Sequence, residues 1–476
     1  MPRKAMILLV AALVVAGCGG DPGAGGSAAS PRPGTTASHP SPGDEPLGSS
    51  APSGSSAPSG SSAPSGSSEP LGSSAPTGSS APPGSATPAG SGATPGSTRP
   101  ARGKADDVNG DGYADLVAEF GPADRRRLGV VHGSPKGLVP SKGAVVPPDT
   151  FTSWLIGSGG SRADLDGDGF GDVLGYGGPP GRPQGPHVLW GGPDGIAATA
   201  SPTPVRLPAI SGSASYRAVA GDFDGDGAAD VAVATPPRSG GLAADLTVLY
   251  GPFTRDGAAT RSGVQPSPTG EDFWRMAADE IDGRRATALI VYQGDDGEQV
   301  SGLLLAAGPG GPARTGRKLN PGMAAAFGDF DGDGARDVAV GDDGSRNNEP
   351  GYETEPPSVD RTLTVYYGDG RQAAFKGTSG AAVAGDFDGD GRDDLAFGGA
   401  AQVAATAPKV FWGAAGGLRA GTSVAGVGEG VPLAAGDFDG DGDDELVLVM
   451  GKEDSVVVVT DGRKALTRFE TNDVPS

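Results

Sequence analysis

The chain has 476 residues, of which 86 are Gly and 44 are Pro, a share at which low-complexity sequence is expected, so much of its length is unavailable for a packed core. The 36 basic and 58 acidic residues leave a formal charge of −22, which excludes nucleic acid as an expected partner, because a phosphate-binding surface would work against the field of the whole molecule. One Cys excludes an intramolecular disulfide framework and a Cys-rich zinc module, and three His (His39, His132, His187) leave little material for a triad or a zinc site, so no enzyme is expected.

Pro2, Arg3 and Lys4 form a short basic start, and Ala5 to Ala16 form an apolar run too short to cross about 30 Å of hydrocarbon as a helix. That is the build of a secretory signal over residues 1–17. It ends in Val15-Ala16-Gly17-Cys18, which resembles the bacterial lipobox. The resemblance implies that Cys18 is lipid-modified and that the mature chain is held on the extracytoplasmic side of the cell membrane, stably where two or more acyl chains are attached.

From Gly19 to Lys104 there are 18 Gly, 16 Pro and 22 Ser, with no Ile, Val, Phe, Tyr, Trp or Met. Without apolar area to offset the entropy of ordering, residues 18–104 are expected to be a disordered linker behind the lipidated Cys. An Ala-Pro-Ser-Gly-Ser-Ser period that starts at Ala51 suits a semi-extended spacer of roughly 50 Å.

Residues 105–476 are organised by a repeat. Six acidic segments align without gaps: Asp107-Val-Asn-Gly-Asp-Gly-Tyr-Ala-Asp115, Asp164-Leu-Asp-Gly-Asp-Gly-Phe-Gly-Asp172, Asp222-Phe-Asp-Gly-Asp-Gly-Ala-Ala-Asp230, Asp329-Phe-Asp-Gly-Asp-Gly-Ala-Arg-Asp337, Asp386-Phe-Asp-Gly-Asp-Gly-Arg-Asp-Asp394 and Asp437-Phe-Asp-Gly-Asp-Gly-Asp-Asp-Glu445. Their starts are separated by 57, 58, 107, 57 and 51 residues. The double step hides a seventh repeat near 280, where Glu280-Ile281-Asp282-Gly283-Arg284-Arg285 stands with Ala288 in the ninth position.

Each unit reads alike around its loop. A small-residue run such as Ala218-Val219-Ala220-Gly221 leads in, a short apolar strand such as Asp230 to Ala234 leads out, and a further strand ends in aromatic-Gly, as at Trp190-Gly191, Tyr250-Gly251, Tyr367-Gly368 and Trp412-Gly413. No stretch sustains a helical period. Seven units of four antiparallel strands predict an all-β, seven-bladed propeller, since a closed ring protects sheet edges that a linear stack would expose.

These loops, the small residues before them and the aromatic-Gly strand resemble the FG-GAP/VCBS repeats of the integrin alpha-chain type β-propeller. The resemblance covers 105–476 and implies calcium bound through positions one, three, five and nine of each loop, with a backbone carbonyl at position seven. The implied ligands are Asp107, Asn109, Asp111, Tyr113 and Asp115 in the first loop, and Asp164, Asp166, Asp168, Phe170 and Asp172 in the second. Asp222, Asp224, Asp226, Ala228 and Asp230 follow in the third, then Asp329, Asp331, Asp333, Ala335 and Asp337 in the fifth. The sixth would use Asp386, Asp388, Asp390, Arg392 and Asp394, and the seventh Asp437, Asp439, Asp441, Asp443 and Glu445.

Calcium takes six to eight oxygens, and alternating acids point inward only where glycines at four and six allow a sharp turn. Four carboxylates gathered without an ion repel by roughly 4 kcal/mol per close pair at an effective dielectric near 20. An EF-hand needs a Glu at position twelve, and here that position holds Ala118, Gly175, Val233, Val340, Phe397 or Leu448. About six calcium ions are expected, none in the fourth repeat, where Arg284 replaces the fifth-position acid and Arg284 or Arg285 is placed to pair with Glu280 or Asp282.

His132 stands in the aromatic register and is expected to pack; the aromatics are expected in the core, Arg125 to Arg127 at a solvated loop tip, and His187 in isolation. The resemblance implies an adhesion-like interaction module for an extracellular protein or glycan ligand, with an envelope glycan-binding lectin as the alternative and a hydrolase or lyase less favoured. The partner site is expected on the face opposite the acidic loops, where Asp342 to Asp360 forms a long, uneven loop. Replacing 343–359 by a short turn is expected to leave the stability of the domain intact.

Overall fold

The computed structural model describes residues 105–475 except 123–125, 146–161, 178–184, 198, 210–217, 242, 282, 284, 295–297, 348, 350, 352–353, 400–406 and 451–454. The signal-like segment, Cys18 and the linker lie outside the described residues, as do Asp282 and Arg284.

The strands follow from composition. Asp230–Thr235 and Asp245–Tyr250 are buried along their whole length, because the middle of each sheet is covered on both sides by neighbouring sheets. First strands such as Ala218–Gly221, Ala324–Gly328 and Gly380–Gly385 are built of small residues, and the first strands of adjoining sheets contact one another. Small side chains permit that convergence. Fourth strands alternate outward, as in Gln372–Lys376, with exposed Gln372, Ala374 and Lys376.

The order is a simple antiparallel meander repeated seven times, at 116–145, 162–204, 218–265, 273–321, 324–376, 380–423 and 431–470, called blades one to seven below. Six sheets show four strands and the first shows three among the described residues. Blade one nevertheless begins as the others do: Asp115 N–H donates to Asp106 O at 2.7 Å, the place in the ladder where Gly221 pairs with Asp230 in blade three.

Seven apolar clusters fill seven seams. The seam of blades three and four, for instance, buries Phe223, Leu246, Phe273 and Leu289. The ring closes between the last blade and the first, where Leu116, Phe120, Phe438, Val447, Phe469 and Val474 pack together. Gly121 N–H donates to Thr471 O at 3.0 Å, which lays the end of the chain on blade one. The expected all-β, seven-bladed propeller is therefore the observed fold.

The hidden repeat is also where the spacing placed it. Ala278 pairs with Leu289 and Asp279 N–H donates to Ala288 O, so Asp279 and Ala288 hold the ladder positions of Gly221 and Asp230. Among the described residues no helix is long and apolar enough to cross a membrane.

Candidate metal centres

Each acidic loop joins the first and second strands of a blade. In blade three, Gly225 (φ 74°) and Gly227 (φ 83°) make the left-handed turns that fold the loop back on itself. The Asp222 carboxylate accepts from Gly225 N–H at 2.7 Å and Gly227 N–H at 2.8 Å, while Asp224 accepts from Asp226 N–H at 3.2 Å and Asp226 from Ala228 N–H at 2.8 Å. Backbone donors thus aim the acids inward. Phe223, at position two, is fully buried in the seam and pins the loop, as Phe330, Phe387 and Phe438 do in theirs.

The ninth acid ties three pieces together. Asp230 takes Phe223 N–H on one oxygen and the strand-ending Gly251 N–H on the other, each at 2.9 Å. Asp115, Asp172, Asp337 and Asp394 repeat this pair of bonds, and Glu445 takes the first of them, from Phe438. The aromatic-Gly motif is explained here: a Cβ at Gly191 would meet Gly171 O at 2.2 Å.

Five groups bring three carboxylate oxygens within 4.8 Å of one another: Asp164, Asp166 and Asp172; Asp222, Asp224 and Asp230; Asp329, Asp331 and Asp333; Asp386, Asp388 and Asp394; and Asp437, Asp439 and Asp441. They leave out the fifth-position acids Asp168, Asp226 and Asp390 and the ninth-position Asp337 and Glu445. The blade-one loop, with Asn109, makes no such group among the described residues. Glu280 of blade four joins none either.

The donor set fits a hard divalent cation. Oδ1 of Asp329 and Oδ1 of Asp388 are buried without a hydrogen-bond partner, an expensive state for a carboxylate. Burial first, and neighbouring acids after it, push Asp172 and Glu445 up to about 8 and Asp230 and Asp394 up to about 7. Such acids hold protons in place of a cation near neutral pH.

Neighbouring loops touch around the ring. The Phe170 ring lies over Gly110 and the Tyr113 ring over Gly440, so a seventh-position side chain covers the turn of the preceding blade. Backbone bonds run with it: Gly171 N–H donates to Asp107 O, Thr287 to Asp222 O and Ala114 to Asp437 O.

Sequence reasoning missed the cations placed on these acids. Arg255 pairs with Asp166 (2.6 Å) and Asp168, Arg261 with Asp224, Arg371 with Asp331, and Arg463 with Asp388 at 2.7 Å. Each lies over a strand-three aromatic, respectively Trp190, Tyr250, Tyr367 and Trp412. Those aromatics therefore serve as platforms as well as packing. In blade one the register holds His132, which packs against Gly195 as expected but also pairs with Asp115 at 3.1 Å, a contact that raises the imidazole above its ordinary value. His187 is buried in its strand, beside Gly185 O at 3.0 Å.

The divergent blade differs from expectation in one pairing: Arg285 donates to Gly334 O of the next loop at 2.7 Å. The cation at this seam is Arg336, whose guanidinium spans Asp279 (2.6 Å) and Asp393 (2.9 Å).

The 342–360 loop is not the loose insertion that its length suggests. Asp342 is fully buried and pairs with Arg346, which also holds Asp360, both at 2.8 Å. Gln299 of blade four donates to Asp343 at 2.6 Å and to the Ser345 hydroxyl at 2.8 Å, and Arg275 pairs with Asp343 at 3.1 Å. The loop is a strap across the seam of blades four and five, so the expectation that it can be removed without cost is corrected.

Fold and loops define an all-β propeller with repeated acidic turns. A family model described as an FG-GAP-like repeat matches residues 164–233 and 386–448, so the chain carries FG-GAP-like repeats in blades two to three and six to seven. No curated protein matches the chain. Among solved structures it is similar to BBS1N in complex with ARL6DN, with 12% identity, 67% of this chain and 85% of that one covered, and a TM-score of 0.38. It is also similar to the exotype rhamnogalacturonan lyase YesX (14% identity, 75% and 71% covered, TM-score 0.37) and to the Bacillus licheniformis rhamnogalacturonan lyase PL11 (12%, 78% and 73%, 0.34).

Proposed function

We propose that the chain is a calcium-binding, lipid-anchored β-propeller displayed outside the cell membrane, where it acts as an adhesion-like binding module rather than an enzyme. The observation that carries the calcium reading is the convergence of carboxylate oxygens in five loops, two of them with a buried oxygen that no donor reaches. In each loop the acids at one, three, five and nine would hold the ion, with the seventh carbonyl beside them. A bound calcium supplies the positive charge that lets these acids ionise together. The chain's own contribution is orientation: N–H groups within the loop fix the first, third and fifth acids, and the ninth is fixed by its second-position and strand-three donors.

The binding reading rests on the repeat and on the face left free by it. Calcium would stiffen the loop face, and the strap of 342–360 lies on the other face, between second and third strands, where an extracellular protein or glycan is the partner we assign. Trp190 and Trp412 lie under arginines, which favours protein over sugar stacking. The lipid anchor rests on Val15-Ala16-Gly17-Cys18.

Metal analysis and thermal unfolding test the calcium reading together. About six ions per chain and a melting temperature raised by millimolar calcium and lowered by chelator are expected; an unchanged melting curve refutes it. Cys18→Ala should move the chain from the membrane fraction to the soluble fraction, and retention in the membrane refutes the anchor. Capture of an envelope protein by the 105–476 domain, lost when blade four and five loop residues are altered at the surface, tests the module.

A further inference from the structure

The four arginines on the loop acids are not evenly distributed. Blades two, three, five and six have an aromatic at the end of the third strand, and in those same blades an arginine lies over the aromatic and pairs with the third-position acid. Two arginines, Arg261 and Arg371, come from the blade whose loop they touch. Arg255 and Arg463 come from the turn between third and fourth strands of the next blade. Different backbone routes thus deliver one guanidinium to one position.

That guanidinium takes an oxygen that a cation would use. In blades two, three and five the other oxygen of the third-position acid accepts the fifth-position N–H, at 3.2 Å in each, so both oxygens of Asp166, Asp224 and Asp331 are engaged. Arg255 also takes Asp168, so blade two has two of its acids held by one arginine. Blade seven is built otherwise. Its third strand ends at Thr460, with no aromatic platform, and the third-position Asp439 accepts Asp441 N–H and faces the Asp437 and Asp441 carboxylates. The seventh position adds a further acid, Asp443.

We propose that Arg255, Arg261, Arg371 and Arg463 sort the acidic loops into two affinity classes: a tight calcium site at the Asp439 loop of blade seven, and weaker sites in blades two, three, five and six. This rests on the calcium reading above. A fixed positive charge on a ligating carboxylate lowers the attraction for a second cation and must be partly displaced as the ion enters, whereas the Asp439 loop gains the whole of its charge relief from the ion. Blade one, with neutral Asn109 in the third position, belongs with the weaker class. The arrangement would let the propeller hold its loops together when calcium is scarce and fill the remaining sites only as calcium rises.

Calorimetric titration of the purified full chain with calcium chloride tests this. Two phases are expected, a first of about one ion and a second at least about tenfold weaker. The combined R255Q, R261Q, R371Q and R463Q variant should tighten the second phase by about tenfold or more while lowering the melting temperature in chelator. Because that variant removes four stacked side chains and needs calcium to fold well, Asp439→Asn is measured beside it in the otherwise unaltered chain. It should abolish the first phase and leave the second. Persistence of the first phase in Asp439→Asn, or arginine replacements that leave the second phase unchanged or weaken it, overturn the sorting while the calcium reading stands. Absence of any calcium heat in the unaltered chain overturns both.

Discussion

The seam between blades six and seven and the seam between blades four and five hold the same backbone contact with opposite chemistry. At the first, Asp444 takes Asp386 N–H on its side chain at 3.0 Å and returns its own N–H to Asp386 O at 2.8 Å. Every charged group in that contact is an acid. At the second, the eighth position is Arg336, which reaches back to Asp279 and forward to Asp393 and is itself four-fifths covered. On the other face the strap hooks Gln299 and Arg275 across the same seam. Where the loop has lost its fifth and ninth acids, the chain supplies cations of its own; where the acids remain, the charge is left for an ion to balance.

Arg336→Met sharpens the contrast most. Asp279 is buried and would be left without its guanidinium, so about 3–5 kcal/mol of stability should be lost, equally with calcium and with chelator. If calcium restores the melting temperature of this variant, the two seams are not distinct. Asp394→Ala should cost about 2–4 kcal/mol, because Phe387 N–H and Gly413 N–H lose their acceptor. Unlike the first, it should also reduce the ions counted by metal analysis, and an undiminished count would remove Asp394 from the ligands.

Gln299→Ala follows at about 1–3 kcal/mol, since Gln299 is buried and joins the strap to blade four, with a Gln299 oxygen also accepting Met323 N–H at 3.1 Å. Hydrogen exchange should rise in 342–347 and stay unchanged in the acidic loops; exchange rising in both would show that the strap and the loops unfold together. The smallest effect is that of pH in chelator. Asp172, Asp230, Asp394 and Glu445 are raised above their unfolded values, so the folded chain binds more protons than the unfolded one between about pH 4 and 8. Metal-free stability should therefore fall as pH rises from 5 to 8, and saturating calcium should flatten that slope. A slope of the same size with and without calcium would place the titration outside the loops.

The repeat made most of this legible beforehand. A nine-residue motif with Asp at one, three, five and nine and Gly at four and six carries its own geometry, because the turn is local and the glycines alone permit it. Position two was readable as core in Asp-Phe-Asp, and the spacing located blade four although its acids had changed. The arginines were not readable. Arg255, Arg261, Arg371 and Arg463 stand at no constant distance from the acids they meet, and half of them arrive from a neighbouring blade. Nor was the strap: acids and prolines in 342–360 look like a solvated insertion until Asp343 is seen beside Gln299.

Composition and periodicity by themselves determined the number of blades, the loop turns and the inward aim of the acids, since each depends on contacts within a few residues. Tertiary structure alone decided which acids are already paired, which oxygens are left without a donor, and how the last blade meets the first. Those outcomes depend on side chains brought together by closure of the ring, as Phe438 and Leu116 are across more than three hundred residues of chain, and no local pattern encodes that distance.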